Sequence, residues 1–420
     1  MNAPRRGYRM TVLYLFCAAA AVALVAALAV GPALVATRYG VAAMAARNWG
    51  LNLFDLRVPA GNITVDKEKN GYLGMKFGLW EPPGSPYRSL MDLYDGTLPI
   101  MDEEAYVPAN NDAHRTGPPS SYEFAYKLSG DPRYGWVLRR TDRNSWESLL
   151  YGPGRIKKAE DPRDESAYAA NVGITALRSQ APDRKPAEQI QTWLKWGTHG
   201  GWHGHFDRTS ILDIRRYGEH IYTTEPTWWG YGSPQYKEWV QTSVSHNMIV
   251  VDEMQQEAVP SDQLLFHAGD MLQVSCVQTK ARWRKPPLFE DGSSPPWEDF
   301  DFPENFKPVL QRRLMAVTAD YIVVADYMDA PQEHTYDWFM HPIGFESLEA
   351  ESKEKGPHLQ KYTDEPTNPY KRFTDCQWYD VRTPATAHYE DDLKNSGGRQ
   401  YRPSDTTLNL DIHTLWPRDV

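Results

Sequence analysis

Hydrophobic spacing changes character twice along the 420 residues. Residues 10–36 form an uncharged apolar run preceded by Arg5, Arg6 and Arg9. Roughly twenty apolar residues span a bilayer, with the basic flank held on the cytoplasmic side, so the run reads as a membrane anchor. A secretory signal peptide with a cleavage site at Ala27-Leu28-Ala29 is the rival reading, although its apolar core is ordinarily about 7–15 residues. A third reading is a buried helix, because residues 38–48 continue in an amphipathic pattern. The first two imply export, to the periplasm, the membrane surface or the extracellular space.

From about residue 47 to 185, short helical patterns alternate with Pro- and Gly-rich connections. The spacing predicts a helix over 120–128, capped by Ser120 or Ser121 with Tyr122, Ala125 and Tyr126 on one face, and another over 133–140. Residues 80–87, with Pro82, Pro83, Gly84 and Pro86, read as a loop. Ser179, Pro182 and Pro186 mark a linker near 178–185. Beyond it, residues 189–196, 211–217, 247–252, 271–279, 313–317 and 321–326 show alternation or short β-branched runs bounded by turns. Strands in succession without intervening helices predict antiparallel sheets stacked face to face. The acidic, Pro-rich stretch 285–308 reads as a long loop, and no fixed-period repeat or Gly-rich phosphate loop is present. The expected architecture is therefore α+β and multidomain: signal peptide or anchor over 1–40, a helical domain over 41–185 and an antiparallel β-sandwich over 186–420.

Composition narrows the partners. A formal net charge of −10 argues against nucleic acid and offers no general attraction to a polyanion. An acidic substrate would need a local basic cleft. Arg208, Arg215, Arg216 and Lys237 are candidates for lining one, and a solvated charged face accounts for them equally well. Fifteen Trp and 24 Tyr supply faces that stack on sugar rings, or simply fill cores and sheets. Three cysteines, Cys17, Cys276 and Cys376, leave the redox compartment undecided.

The chemistry concentrates in Gly200-Gly201-Trp202-His203-Gly204-His205-Phe206-Asp207-Arg208. Imidazoles at i and i+2 share one face of a strand, and the flanking glycines admit a close-approaching ligand. Further on come Glu225 and His246. With His205 they make a His, carboxylate, His set that suits tetrahedral zinc with a fourth position for water. Ligands about twenty residues apart are not a local zinc motif of the HExxH kind. Three separate polar residues satisfied in a sheet is the competing reading.

Residues 197–252, with GTHGGWHGHFDR, YGSPQYKEW and VSHNMIVVDE, resemble the heparinase II/III-like family of polysaccharide lyases. The resemblance continues through Gln311-Arg312-Arg313 and residues 321–326 and 333–338, and takes in residues 95–99, 121–126 and 130–134 upstream. It implies an N-terminal α/α toroid joined to a C-terminal stack of antiparallel sheets, and cleavage of a uronic-acid-containing polysaccharide by β-elimination. The chain before the sheets is short for that toroid, which implies four to six helices. The resemblance gives His203 to substrate, as base or as neutraliser of the uronate carboxylate, and gives His205 to a structural zinc with His246. The family has Asp where this chain has Glu225. Asp207 is the fallback ligand, or a partner to a ligand histidine. Tyr72, with Asn70 nearby, is the candidate for the toroid's catalytic tyrosine; Tyr14 and Tyr39 lie in or beside the apolar run. Tyr236, Arg208 and His199 are candidates for substrate contact, Tyr236 reading equally as a sheet-edge aromatic. Asn111 and Asp112 fit the family's loop after Asp95-Gly96-Thr97-Leu98-Pro99, and His114 sits on the same polar loop. A non-catalytic carbohydrate-binding descendant and a zinc-dependent hydrolase are the alternative functions.

Overall fold

A computed structural model describes residues 7–14, 94–285, 306–358, 368–392 and 407–417, apart from short gaps that include 200–203 and 221–232. Three α-helices lie among the described residues: α1 (Tyr122–Ser129), α2 (Pro132–Leu138) and α3 (Trp146–Tyr151). Gly130 ends α1 with φ +68°, a left-handed position that glycine takes without strain. Asp131 then accepts a hydrogen bond from the Arg133 amide, with Pro132 in the first turn of α2. Tyr122, Ala125 and Tyr126 pack on Tyr134, Trp136, Val137 and Leu138, as the helical spacing predicts. The spacing gives no sign of α3, which buries no residue and leaves Trp146, Leu149 and Leu150 exposed. These helices form no closed ring. Residues 41–92, where further toroid helices and Tyr72 were expected, lie outside the described residues.

Five strands form an antiparallel meander in chain order: β2 (Ala167–Ala169), β3 (Ile174–Arg178), β4 (Gln191–Lys195), β5 (Ile211–Arg216) and β6 (Glu219–His220). The linker expected at 178–185 is the β3–β4 connection within this one sheet, so the sheet takes strands from both sides of residue 185. A proline-containing polar loop has the same composition in either role. Here Gln189 ties it down, accepting from Ser179 Oγ at 2.7 Å and from the Ala181 amide at 3.1 Å.

A larger sheet has the order β15 (Phe345–His358), β16 (Cys376–Asp392), β17 (Thr407–Thr414), β1 (Gly7–Tyr14), β13 (Tyr321–Asp329), β12 (Val309–Val317), β10 (Gln273–Ala281) and β9 (Asp262–Ala268). Its neighbours are antiparallel except β1, which is parallel to both β13 and β17. Two short pairs complete the fold: β7 (Ile249–Val251) with β14 (Tyr336–Trp338), and β8 (Gln255–Gln256) with β11 (Trp283–Arg284). Of the apolar run 10–36, residues 10–14 are described, as part of a strand rather than a helix; the remainder lies outside the described residues. No described helix is long and apolar enough to cross a membrane. Cys276 and Cys376 are free thiols.

Every residue of β3, β4 and β5 is buried, which requires cover on both faces of the meander. One face supplies Leu177, Leu194, Ile211 and Ile214 to a core shared with Val277, Met315, Val317, Ile322 and Val324 of the larger sheet and with Leu408, Leu410 and Ile412 of β17. The other face sets Ile174, Ala176, Trp193 and Leu212 against Ile100. This second layer comes from residues 98–107, which strap the helices to the sheet.

Ion pairs fasten the strap. Arg215 reaches Glu103 at 2.6 Å, Arg115 Nε reaches Asp102 at 2.8 Å, and Arg178 donates to the carbonyls of Pro99 and Met101. Arg215 and Arg216 are therefore buried structural cations, Arg216 donating to the Glu188 carbonyl, and not the rim of an open basic cleft. Burial opposes ionisation of Glu103, but the Arg215 guanidinium outweighs it and holds the carboxyl at about 2. Burial pushes neighbouring Asp213 up to about 7, only partly offset by Arg215 and Arg115.

These two carboxyls act in opposite pH windows. Asp213 has a folded value above its unfolded value of about 3.9, so its contribution to stability falls as pH rises from about 4 to about 7. Glu103, depressed on folding, contributes above an unfolded value near 4.3, and that contribution is lost as pH falls towards about 2. Urea unfolding across this range is expected to show the Asp213 decline flattened in Asp213→Asn. An unchanged slope would mean that Asp213 does not carry the proton.

Candidate functional site

Residues 204–210 lead into β5 as a pinned loop, not as the strand expected to carry the two histidines. The Phe206 amide donates to the Gln241 carbonyl at 3.0 Å, the Arg208 amide to Gln256 at 2.9 Å, and the Thr209 amide to the Lys195 carbonyl at 3.1 Å. Thr209 is held at φ +77°, a costly conformation for a β-branched residue and a mark of local strain. Gly204 is required by contact: a Cβ there would stand 2.1 Å from the His199 carbonyl oxygen.

This loop delivers His205 and Asp207 to His246, and candidate ligand atoms from the three buried side chains lie within 4.8 Å of one another. Hydrogen-bond logic fixes which ring nitrogens converge. His246 Nδ1 lies 2.7 Å from the Thr242 carbonyl, which only accepts, so Nδ1 carries the proton and Nε2 presents a lone pair. His205 Nε2 lies 3.2 Å from Asp112 Oδ1 and donates to that carboxylate, leaving the His205 Nδ1 lone pair 3.0 Å from His246 Nε2. Asp207 Oδ2 stands 3.8 Å from the same His246 nitrogen. Facing lone pairs at this distance repel unless a cation lies between them, either a proton or a metal. Ligand atoms about 2.0–2.2 Å from tetrahedral zinc sit roughly 3.3–3.6 Å apart, and the two observed separations bracket that range. The donor set is of the kind zinc takes, and His205, Asp207 and His246 would hold it.

Two cations share Asp207. Lys195 Nζ pairs with Oδ2 and Arg208 with Oδ1, and all three side chains are buried. Lys195 also donates to Asn111 Oδ1 at 2.6 Å. On the far side of His205, Asp112 accepts from the Tyr236 hydroxyl at 2.7 and 2.8 Å. Tyr236 opens the π-helix Tyr236–Val240 and receives a hydrogen bond from Gln241 Nε2 at 2.8 Å. Lys237 donates to Gln241 Oε1 at 2.7 Å.

The residues predicted from sequence thus fall into three groups. His205 and His246 are brought together, and Asp207 is the carboxylate described beside them. Arg208, Tyr236 and His199 are buried in the packing around that set, with side chains committed to it rather than spread over an open surface. Arg208 donates to the His205 carbonyl at 3.0 Å as well as to Asp207, and His199 lies against the Phe206 ring at 4.6 Å. Burial, and then Arg208, hold the His199 ring well below the usual histidine value, so it is neutral. His203, Glu225, Tyr72 and His114 lie outside the described residues. Sequence reasoning missed Lys195, Thr242 and Gln241. Lys195 left a signal, since a lysine ending the otherwise apolar-rich Gln191-Thr192-Trp193-Leu194 strand needs a buried carboxylate.

No family model matches the chain, and no curated protein matches it. Among solved structures it is similar to a heparinase III, the BT4657 gene product, at 12% identity and TM-score 0.47, over 74% of this chain and 40% of that one. It is also similar to heparan sulfate lyase HepC from Pedobacter heparinus, at 12% identity and TM-score 0.42, over 74% and 41%. A further structure titled Heparinase III gives 10% identity and TM-score 0.42, over 78% and 46%. The chain therefore spans less than half the length of each. Identities this low and TM-scores below 0.5 leave the functional reading to the site's own geometry.

Proposed function

We propose that this protein is a polysaccharide lyase that cleaves an acidic, uronic-acid-containing polymer by β-elimination, built around a structural zinc. The observation that carries the reading is the pair of lone pairs on His205 Nδ1 and His246 Nε2 facing each other at 3.0 Å beside Asp207, with His205 two residues after His203. Zinc bound there would cross-link the loop to the turn at Ser243–Ser245 and so fix the backbone from which His203 projects. Glu225 is the further carboxylate of the proposed set: Lys195 and Arg208 already pair with Asp207, so a divalent ion would add positive charge that one more carboxylate offsets.

In the reaction the C5–H bond of the uronate breaks, its electrons form the C4=C5 double bond, and the C4–O bond releases the leaving oxygen. His203 serves the uronate, taking the C5 proton or neutralising the carboxylate so that the enolate is tolerated. Tyr72 is the candidate acid for the leaving oxygen. Arg208, committed to Asp207, positions the loop instead of binding polymer. Export belongs to the same proposal, since such a polymer lies outside the cell.

Full-length protein mixed with alginate, heparan, chondroitin or ulvan-type polymers is expected to raise the ultraviolet absorbance of an unsaturated uronate on one of them. His203→Ala is expected to lower that rate by about 10²–10⁴-fold. No rise with any uronan sinks the lyase reading. Saturated products abolished by chelation identify a hydrolase, and binding without product identifies a carbohydrate-binding descendant. Independently, zinc at about 100 times its Kd is expected to stabilise the protein by about 2.7 kcal/mol, reversed by chelator; no shift in the melt removes the metal.

A further inference from the structure

We propose that Asp112 is the positioning residue that decides which nitrogen of His205 faces the metal set, and that it does so from outside the sheet that carries the histidine. The inference rests on the zinc reading above for the identity of the cation, but not for the proton positions.

Donor chemistry fixes the direction of the hydrogen bonds that join Asp112, Tyr236, Gln241 and Lys237. The Lys237 ammonium only donates, so Gln241 meets it with Oε1 and turns Nε2 towards the Gly204 carbonyl at 3.1 Å and the Tyr236 oxygen at 2.8 Å. The Tyr236 oxygen accepts there, and its single proton goes to Asp112. The carboxylate is thereby held by a tyrosine on one side and takes the His205 Nε2 proton on the other. With that proton fixed, Nδ1 is the nitrogen left for a cation. Without Asp112 the ring can carry its proton on Nδ1 and donate it to His246 Nε2, only 3.0 Å away. That hydrogen bond would close the space between the rings that a metal needs.

Asp112 comes from the turn that continues the strap, not from the sheet. Asn110 and Ala113 bridge across it, Asn111 turns the chain at φ +54°, and the Asn111 side chain accepts from Lys195 Nζ and from the His205 amide. The Asp102–Arg115 and Glu103–Arg215 pairs anchor the strap at its other end. The metal set is thus completed only when the segment ahead of the sheet is docked.

The test uses full-length protein and zinc itself. Zinc affinity, measured by competition with a chromogenic chelator, is expected to fall about 10–100-fold in Asp112→Ala. Asp112→Asn, which keeps an acceptor oxygen, is expected to lose less. Nitrogen-15 NMR of metal-free protein, with the His205 signal assigned by its disappearance in His205→Gln, is expected to show Nε2–H in the parent and its loss in Asp112→Ala. Parental affinity together with an unchanged tautomer overturns the proposal. If the parent takes up no zinc, the metal reading fails alone, and the tautomer decides the role of Asp112. Should Asp112→Ala not fold, the same measurements on Asp112→Leu, which keeps the branched shape and removes the acceptor, decide it: parental affinity and tautomer in that variant overturn the proposal.

Discussion

Asp207→Ala is expected to destabilise the protein by about 3–5 kcal/mol, the scale for breaking a buried ion pair by removing one partner. Lys195 and Arg208 are both about 1% exposed, and both close on this one carboxylate. Alanine would leave two ammonium and guanidinium charges in a dry site with no counter-ion from Asp207. Asp207→Asn keeps the shape but only one acceptor oxygen, so one cation keeps its hydrogen bond while the other faces an NH2 donor, and a large part of the loss is expected to remain. Both variants are also expected to weaken zinc binding, because Asp207 Oδ2 is one of the three converging atoms. Urea unfolding at neutral pH reads the first effect. A loss below about 1 kcal/mol, the size of an exposed pair, would show that water reaches the two cations.

The second large effect lies below the site. Arg313, fully buried in β12, pairs with Asp326 of β13 through two bonds of 2.7 and 2.9 Å. Its remaining nitrogen donates to the carbonyls of Thr209 and Asn247 at 2.9 and 2.7 Å. One guanidinium therefore ties the larger sheet to both the histidine loop and the residue after His246. Arg313→Met is expected to cost about 3–5 kcal/mol, since it leaves the Asp326 carboxylate buried without this partner. The double variant Arg313→Met, Asp326→Leu is expected to recover part of the loss and not all of it, because the two carbonyls stay unserved. Full recovery would show that the carbonyl contacts contribute nothing. The four-protein cycle, read by denaturant melts, separates the pair from the carbonyls.

Much of the sheet architecture was legible. The residues of β4, β5, β10, β12 and β13 overlap the runs that alternation and β-branching pick out, and α1 and α2 follow from their apolar faces and caps. The reading failed where local pattern and tertiary role part company. Pro182 and Pro186 resemble a domain boundary that would put β2 and β3 in the helical half, whereas residues 179–190 turn the hairpin between β3 and β4. The strap was invisible as such, because Ile100 earns its burial from a sheet about seventy residues downstream. The histidine pair was legible through its GWHGHFD context, but its geometry was not. No spacing rule shows that the Thr242 carbonyl accepts from His246 Nδ1 or that Asp112 accepts from His205 Nε2. Arg208 and Arg215 look like a polymer-binding cleft in sequence because a basic side chain reads the same whether its carboxylate partner is near or absent. Asp207 and Glu103 make them internal.

The strap also sets an order of assembly. Asp112 is translated more than a hundred residues before His246, and at about 5–20 residues per second that interval is on the order of ten seconds. Throughout it, the helices can pack on one another from local contacts and Asp102 can pair with Arg115, while Glu103 and Asp112 wait for Arg215, His205 and Tyr236, not yet made. Non-local contacts of this kind form late and slowly. A nascent chain therefore passes through a stage in which the helical segment is folded and its acidic strap is solvent-facing. The metal set closes only after residues 205–246 have left the ribosome.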